Sequence, residues 1–199
     1  MMKTVQFGPY EWIVLQQKKT EALLITKEAI ACRPYHETLD KVTWENCDLR
    51  TWLNGKFLER FREEEQKKIL TKKIQNPENP EFHTFGGNPT EDRVFLLSVE
   101  EAEKLFADDE ERKCAPAMSA RQEGIFVYPD THTCYWWLRS PGNVDMDSKE
   151  KNNEDHFRSF DAARVNVFGQ VFNVGTHVNY YDVGVRPAMW VRMRLKEEN

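Results

Sequence analysis

The hydrophobic period of this chain changes twice, and that layout restricts the fold more than any single motif. Residues 10–15 alternate aromatic and aliphatic side chains, residues 17–21 are a polar turn, and residues 22–26 are a second apolar run. Together they predict a β-hairpin, with Pro9 at the start of the first strand, where a missing N–H does least harm. Between residues 43 and 70 the period lengthens. Leu49, Trp52, Leu53, Phe57, Leu58 and Phe61 recur at three- and four-residue steps, a helical stripe. Thr43 or Asn46 is its expected cap, Asn54-Gly55 its expected break, and residues 63–70 a second, more charged helical segment. Residues 75–92 hold Pro77, Pro80, Pro89 and Gly86-Gly87 and read as a loop; residues 94–97 read as a short buried strand. Ser98 and Glu101 have capping-box spacing and open a helix to about Phe106, followed by a charged connection over 108–113. After that the chain returns to strands: CYWWLRS at 134–140, a hairpin over 162–167 and 170–174, and a closing strand over 183–193. Strands, then helices, then strands, without βαβ alternation, predict an α+β fold with a mixed, mostly antiparallel sheet.

The tryptophans mark every part of this layout. Trp12 and Trp190 fall on the terminal strands, Trp44 and Trp52 at the helical stripe, and Trp136 and Trp137 on the middle strand. With 12 Phe and 6 Tyr beside these 6 Trp, the chain is too aromatic for a disordered class. The expected core joins both chain ends in one domain of 199 residues, interrupted by an almost wholly polar loop or insertion at 143–156. No run approaches the roughly 18 apolar residues of a membrane span. A formal charge of −5 argues against a nucleic-acid backbone as partner. The mixed basic cluster at 60–73 reads as a solvated helix face. No apolar run of signal-peptide length follows Lys3, so a cytoplasmic location is expected, with Cys32, Cys47, Cys114 and Cys134 as reduced, partly buried thiols.

Motifs for chemistry are sparse. Cys32 and His36 with Cys47, and Cys114 with His132 and Cys134, supply metal-ligand residue types, but neither set has paired CxxC spacing, so no metal is assigned. Asn143, Asp145, Asp147, Asn152, Asn153, Glu154 and Asp155 supply oxygens without the glycine-bearing loop of an EF-hand, and read as a solvated loop. His132 and Cys134 would share one face of a strand, which permits a thiolate–imidazole pair. Ser140 lacks the G-x-S-x-G turn of an activated serine. Arg139 and Arg186 interrupt apolar strands and need acceptors, either carbonyls or a carboxylate such as Asp161 or Asp182. They serve a structural network or touch a ligand. Tyr180, Tyr181 and Asp182 form a polar-aromatic turn, and Tyr135, Trp136 and Trp137 alternate across a strand. The candidate ligand-binding set is therefore Trp137, Arg139, Ser140, Tyr180, Tyr181, Asp182 and Arg186, with no catalytic residue and no cofactor assigned.

The segments FGPYEWIVL, LLITKEAIACRPYH, TWENCDLRTWLN, DRVFLLSVEEAEKLF, CYWWLRSPG and GVRPAMWV, in this order, resemble the uncharacterised bacterial domain family DUF6273. The resemblance runs from about Phe7 to Val191; the polar stretch at 143–156 is longer than the family pattern. That family is in turn distantly similar to the C-type lectin-like fold and its sulfatase-modifying-factor branch. The resemblance implies paired terminal strands, two flanking helices and an irregular loop region that presents ligands. In that branch a Trp-rich strand and a late Gly-x-Arg strand recur, matched by Trp136–Arg139 and Gly184–Arg186. On the same resemblance, Cys114 and Cys134 are the residues to compare with the cysteine pair of formylglycine-generating relatives. The expectation is a non-catalytic domain that binds a small molecule, glycan or protein. The alternatives are a cysteine- or metal-dependent enzyme built on Cys114, His132 and Cys134, or a structural component of a phage or cell-surface assembly.

Overall fold

The strand signals from the two ends of the chain meet in one antiparallel sheet. The computed structural model describes residues 2–143 and 158–193. Strands β1 (Thr4–Phe7), β2 (Tyr10–Gln17) and β3 (Glu21–Thr26) are followed by β4 (Ala31–Cys32). The helical third holds α1 (Asp48–Asn54) and α2 (Glu63–Gln66), then β5 (Lys72–Ile74), β6 (Thr90–Asp92), α3 (Val99–Leu105), α4 (Asp109–Arg112) and α5 (Met118–Gln122). The last part is β7 (Trp136–Pro141), β8 (Asp161–Val165), β9 (Val171–His177), β10 (Gly184–Val185) and β11 (Ala188–Arg192). The first sheet has the order β1-β2-β3-β11, so the last strand seals the N-terminal hairpin by pairing with β3. Residues 68–70 cover the outer edge of β11, with Leu70 N–H donating to Trp190 O at 2.8 Å and Arg192 N–H to Lys68 O at 2.8 Å.

A second sheet has the order β4-β10-β7-β8-β9; β10 and β7 run parallel and the other neighbours antiparallel. The single closing strand expected over 183–193 is thus two strands in two sheets. Pro187 has no N–H to continue a ladder, and the chain changes sheets at Arg186-Pro187, where Pro187 O accepts from Thr26 N at 3.0 Å. Both sheets contribute to one cluster of buried apolar side chains. Trp12, Trp44, Trp136 and Trp137 are fully buried in it, whereas Trp52 and Trp190 are half-buried. The architecture is α+β, with mostly antiparallel sheets and short helices. No helix among the described residues is long and apolar enough to cross a membrane.

The helical stripe is shorter than its period implied. It breaks into α1, α2 and two single 3₁₀ turns at Trp44–Asn46 and Leu58–Arg60. Gly55 ends α1 as expected, but the cap is Cys47, whose sulfur accepts from Arg50 N at 3.4 Å, rather than Thr43 or Asn46. The apolar steps survive because Leu49, Leu53, Phe57, Leu58 and Phe61 all face the first sheet's aromatic cluster or the core beside it. Gly8 turns the chain from β1 to β2 at φ +58°, and a Cβ there would lie 2.5 Å from the Phe61 ring, so the turn needs glycine. Residues 94–97 are buried but extended, with one bridge from Phe95 to Ala188 instead of a strand. The capping box forms: Glu101 N–H donates to Ser98 Oγ at 3.1 Å and Ser98 N–H to Glu101 Oε2 at 3.0 Å. Residues 144–156 of the polar insertion, and with them the oxygen-rich set beyond Asn143, lie outside the described residues.

Candidate functional site

The seven candidate binding residues divide into scaffold and surface. Trp137 is buried and its Nε1 donates to Arg33 O at 2.9 Å. Arg139 is 3% exposed; it grips both oxygens of Glu101 and donates to Leu96 O at 2.7 Å and Gln75 O at 2.9 Å. Ser140 Oγ is buried and accepts from Val99 N at 3.0 Å. These three sit on β7 and tie it to the start of α3. Arg186 is 1% exposed and reaches the carbonyls of Thr26, Arg112 and Lys27 at 2.9, 3.3 and 3.5 Å. Neither carboxylate considered for these arginines is used: Asp161 pairs with His177 at 2.6 Å, and Arg139 takes Glu101. Tyr180 and Tyr181 are exposed on the turn before β10, with Asp182 half-buried behind them. The set does not converge on one cleft.

The imidazole–thiol pair also separates. His132 is exposed in the left-handed region, φ 57°, at the end of a turn, and Cys134 is buried. Residues 132–135 are not a strand, so the shared face that period two requires is lost. Among the described residues, no group of three or more His, Cys, Asp or Glu side chains is placed to hold a metal ion.

The structure instead builds a cleft on the open face of the first sheet, with a volume of about 410 Å3. A bulge in β2 after Val14 brings Gln16 opposite Leu23, and Leu23 pairs across to Trp190, so one row over three strands makes the floor. The β5 segment with Gln75 forms one wall, and α3 the other through Glu100, Glu101, Lys104 and Leu105. Lys18 Nζ stands 4.5 Å and Lys72 Nζ 5.5 Å from the Trp190 ring centroid. Cations at such distances are attracted to the ring face. Buried Arg139 braces the α3 wall from behind through Glu101.

The charges in this cleft do not cancel. Lys72 is paired with Glu21 at 2.7 Å, and Glu101 with Arg139. The Lys72 hydrogen bond holds the Glu21 carboxyl below its ordinary value, so that pair stays ionised. Among the described residues, Lys73 and Lys104 have no carboxylate at ion-pair distance, and Lys18 acts on Glu21 only beside its closer partner Lys72. A chain of net charge −5 therefore carries a locally positive cleft with an indole floor. None of the seven candidate residues lines it. The mixed cluster at 60–73 has the pattern of a solvated helix face, but Lys72 and Lys73 lie on β5 and belong to one wall of the cleft. The usable sequence signal was the Lys18-Lys19 turn and Lys72-Lys73 flanking strands that end against Trp190.

Comparison with known proteins agrees with the family resemblance for the motifs from LLITKEAIACRPYH onward, while FGPYEWIVL at 7–15 lies before the matched residues. The model of the family described as "Domain of unknown function (DUF6273)" matches residues 20–193. No curated protein matches the chain. No solved structure matches it either. The family match takes in Leu23 and Trp190 of the cleft floor, both of its walls, the second sheet and the β10–β11 crossover, and on that extent the chain belongs to the DUF6273 family.

Proposed function

We propose that this chain is a non-catalytic binding domain of lectin-like type, whose cleft takes an acidic ligand with a flat, sugar-like or planar face. The observation that carries this reading is Trp190, half-buried on the cleft floor, with Lys18 and Lys72 over its ring and with Lys73 and Lys104 at the walls, neither of them in an ion pair among the described residues. An indole face favours the apolar side of a sugar or ring, and unpaired ammonium groups favour a carboxylate or sulfate on its edge. The lectin-like part of the proposal draws support from the terminal strands sharing one sheet. Of the geometry that motivates the enzyme alternative, the imidazole–thiol pair is lost with the separation of His132 from Cys134, while Cys114 and Cys134 remain neighbours.

Titration calorimetry and tryptophan fluorescence with oligogalacturonate, its neutral methyl ester and an acidic peptide test the proposal. Oligogalacturonate is expected to bind, to quench Trp190 and to weaken as salt is raised. Equal affinity for the neutral ester, or quenching that persists in Trp190→Phe, would overturn it. Turnover of any of these ligands by the purified chain would overturn the non-catalytic part.

A further inference from the structure

The second sheet carries a row of side chains whose cover runs out halfway. Trp137, Arg164 and Phe172 are register partners across β7, β8 and β9, and side chains directly opposite in a sheet share a face. Trp137 is closed over by the Tyr35 ring, centroid to centroid at 5.8 Å, and by Arg33 O. Phe172, on the edge strand β9, is 39% exposed, and Val174, two residues further along the same face, is 43% exposed. Between them the Arg164 guanidinium carbon stands 3.9 Å from the Tyr135 ring centroid and 5.4 Å from that of Phe172. Tyr135 is stacked in turn on Phe126, with centroids 5.5 Å apart and planes 23° from parallel, and Phe126 is 39% exposed.

Two charges at this face are left open. Arg164 makes no hydrogen bond or ion pair among the described residues; its Nε is buried without a partner, and its two terminal nitrogens are open to solvent. At the other end of the stack Asp182 O accepts from Phe126 N at 3.3 Å, and the half-buried Asp182 carboxylate also has no hydrogen bond or ion pair among the described residues. The Phe126–Tyr135 stack stands between the two charges, so within one chain they do not meet. Exposed aromatic rings around an arginine are the composition of an interface core, and a contiguous apolar patch on a surface marks a contact site.

We propose that this face is the two-fold interface of a homodimer, in which Arg164 of each copy pairs with Asp182 of the other and the rings of Phe126 and Phe172 cover one another between the two pairs. A patch with a cation at one end and an anion at the other is complementary to its own copy turned by a two-fold axis, and that self-complementarity is what a closed dimer requires. A purely acidic partner would satisfy Arg164 but set a like charge against Asp182, and a second copy satisfies both. The planar guanidinium, held in place by Tyr135 and Phe172 before any contact forms, gives up little freedom on pairing with a carboxylate. None of these side chains lines the cleft on the first sheet, so the dimer and the ligand reading stand or fall separately.

Sedimentation equilibrium of the full chain up to about 100 µM, within reach of weak specific interfaces, tests this. The wild type is expected to form a dimer and nothing larger. Arg164→Asp and Asp182→Arg, each alone, set like charges opposite one another twice per dimer and are expected to weaken association at least about hundredfold. Mixed in equal amounts, the two variants restore opposite charges at both contacts, and a heterodimer is expected. Circular dichroism of each variant checks its fold. In the wild type, hydrogen exchange at residues 126–127 and 171–174 is expected to slow as concentration rises, while exchange at β5 does not change. A wild type that stays monomeric over this range, assembly beyond two copies, or slowed exchange elsewhere but not at these residues would each overturn the proposal. So would association that survives Arg164→Asp, or a mixture of folded variants that stays monomeric. The wild-type measurements decide it even where a variant does not fold.

Discussion

Replacing Glu101 by Gln isolates the charge that braces the cleft wall. In the native chain Glu101 closes the capping box of α3 and holds both terminal nitrogens of Arg139. Glutamine keeps the shape and one acceptor for Ser98 N–H, but removes the negative charge. Arg139, at 3% exposure, then has neutral acceptors alone among the described residues, Leu96 O and Gln75 O with them, and its Nε has no partner even before the change. Leaving one member of a buried ion pair uncompensated costs about 3–5 kcal/mol. The Glu101 side chain is 36% exposed, so water reaches the gap and the lower end, about 3 kcal/mol, applies. For a chain of this size that corresponds to a fall of roughly 6–12 °C in Tm. Ser98→Ala removes the cap alone and is expected to cost about 1 kcal/mol, or roughly 2–4 °C. Thermal unfolding followed by circular dichroism, with urea unfolding alongside, measures both. If Glu101→Gln costs no more than Ser98→Ala, the buried Arg139 charge does not need Glu101 and the reasoning fails.

Other changes separate scaffold from site. Gly169 has φ +85°, and a Cβ there would sit 1.7 Å from Asp109 O, so Gly169→Ala is expected to lose at least about 2 kcal/mol in urea unfolding. Buried Asn79 donates to Pro141 O at 2.8 Å and Asn173 O at 2.9 Å and accepts from Glu81 and Phe82 N–H, so Asn79→Ala is expected to cost about 3 kcal/mol by the same assay. Lys104→Glu, on the exposed side of α3, is expected to leave stability within about 0.5 kcal/mol while weakening oligogalacturonate binding roughly tenfold in calorimetry. Glu21 has a folded-state value depressed by Lys72, so its contribution is present above its ordinary value of 4.5 and is lost as pH falls through the depressed one. Lys72→Met is therefore expected to flatten the acid limb of the stability–pH curve; an unchanged limb counts against the pair.

What could be read along the chain were features with a local cause. The N-terminal hairpin, the capping box at Ser98 and Glu101, the break at Gly55 and the β8–β9 hairpin each depend on a few neighbouring residues, and each forms. Reading failed where the same residues serve a distant partner. The stripe at 43–70 kept its apolar spacing but not its continuity, because its side chains pack against strands rather than along a helix axis. Arg139 and Arg186 stood out as anomalies within apolar strands, and both anomalies are real. Their meaning came from partners 38 residues away in one case and 160 and 74 in the other. Trp190 was read as core; the half of its ring left open becomes a cleft floor only when Gln16, Leu23 and Lys72 arrive from elsewhere.

The sequence by itself determined the α+β class, the family, and the aromatic core that joins the two ends of the chain, because period, capping residues and motif order are local properties. The tertiary structure alone decided which sheet each half of residues 184–192 enters, which arginine receives a carboxylate, and which lysines share a cleft. Burial and charge compensation are sums over residues far apart in the chain, and no window along it contains them.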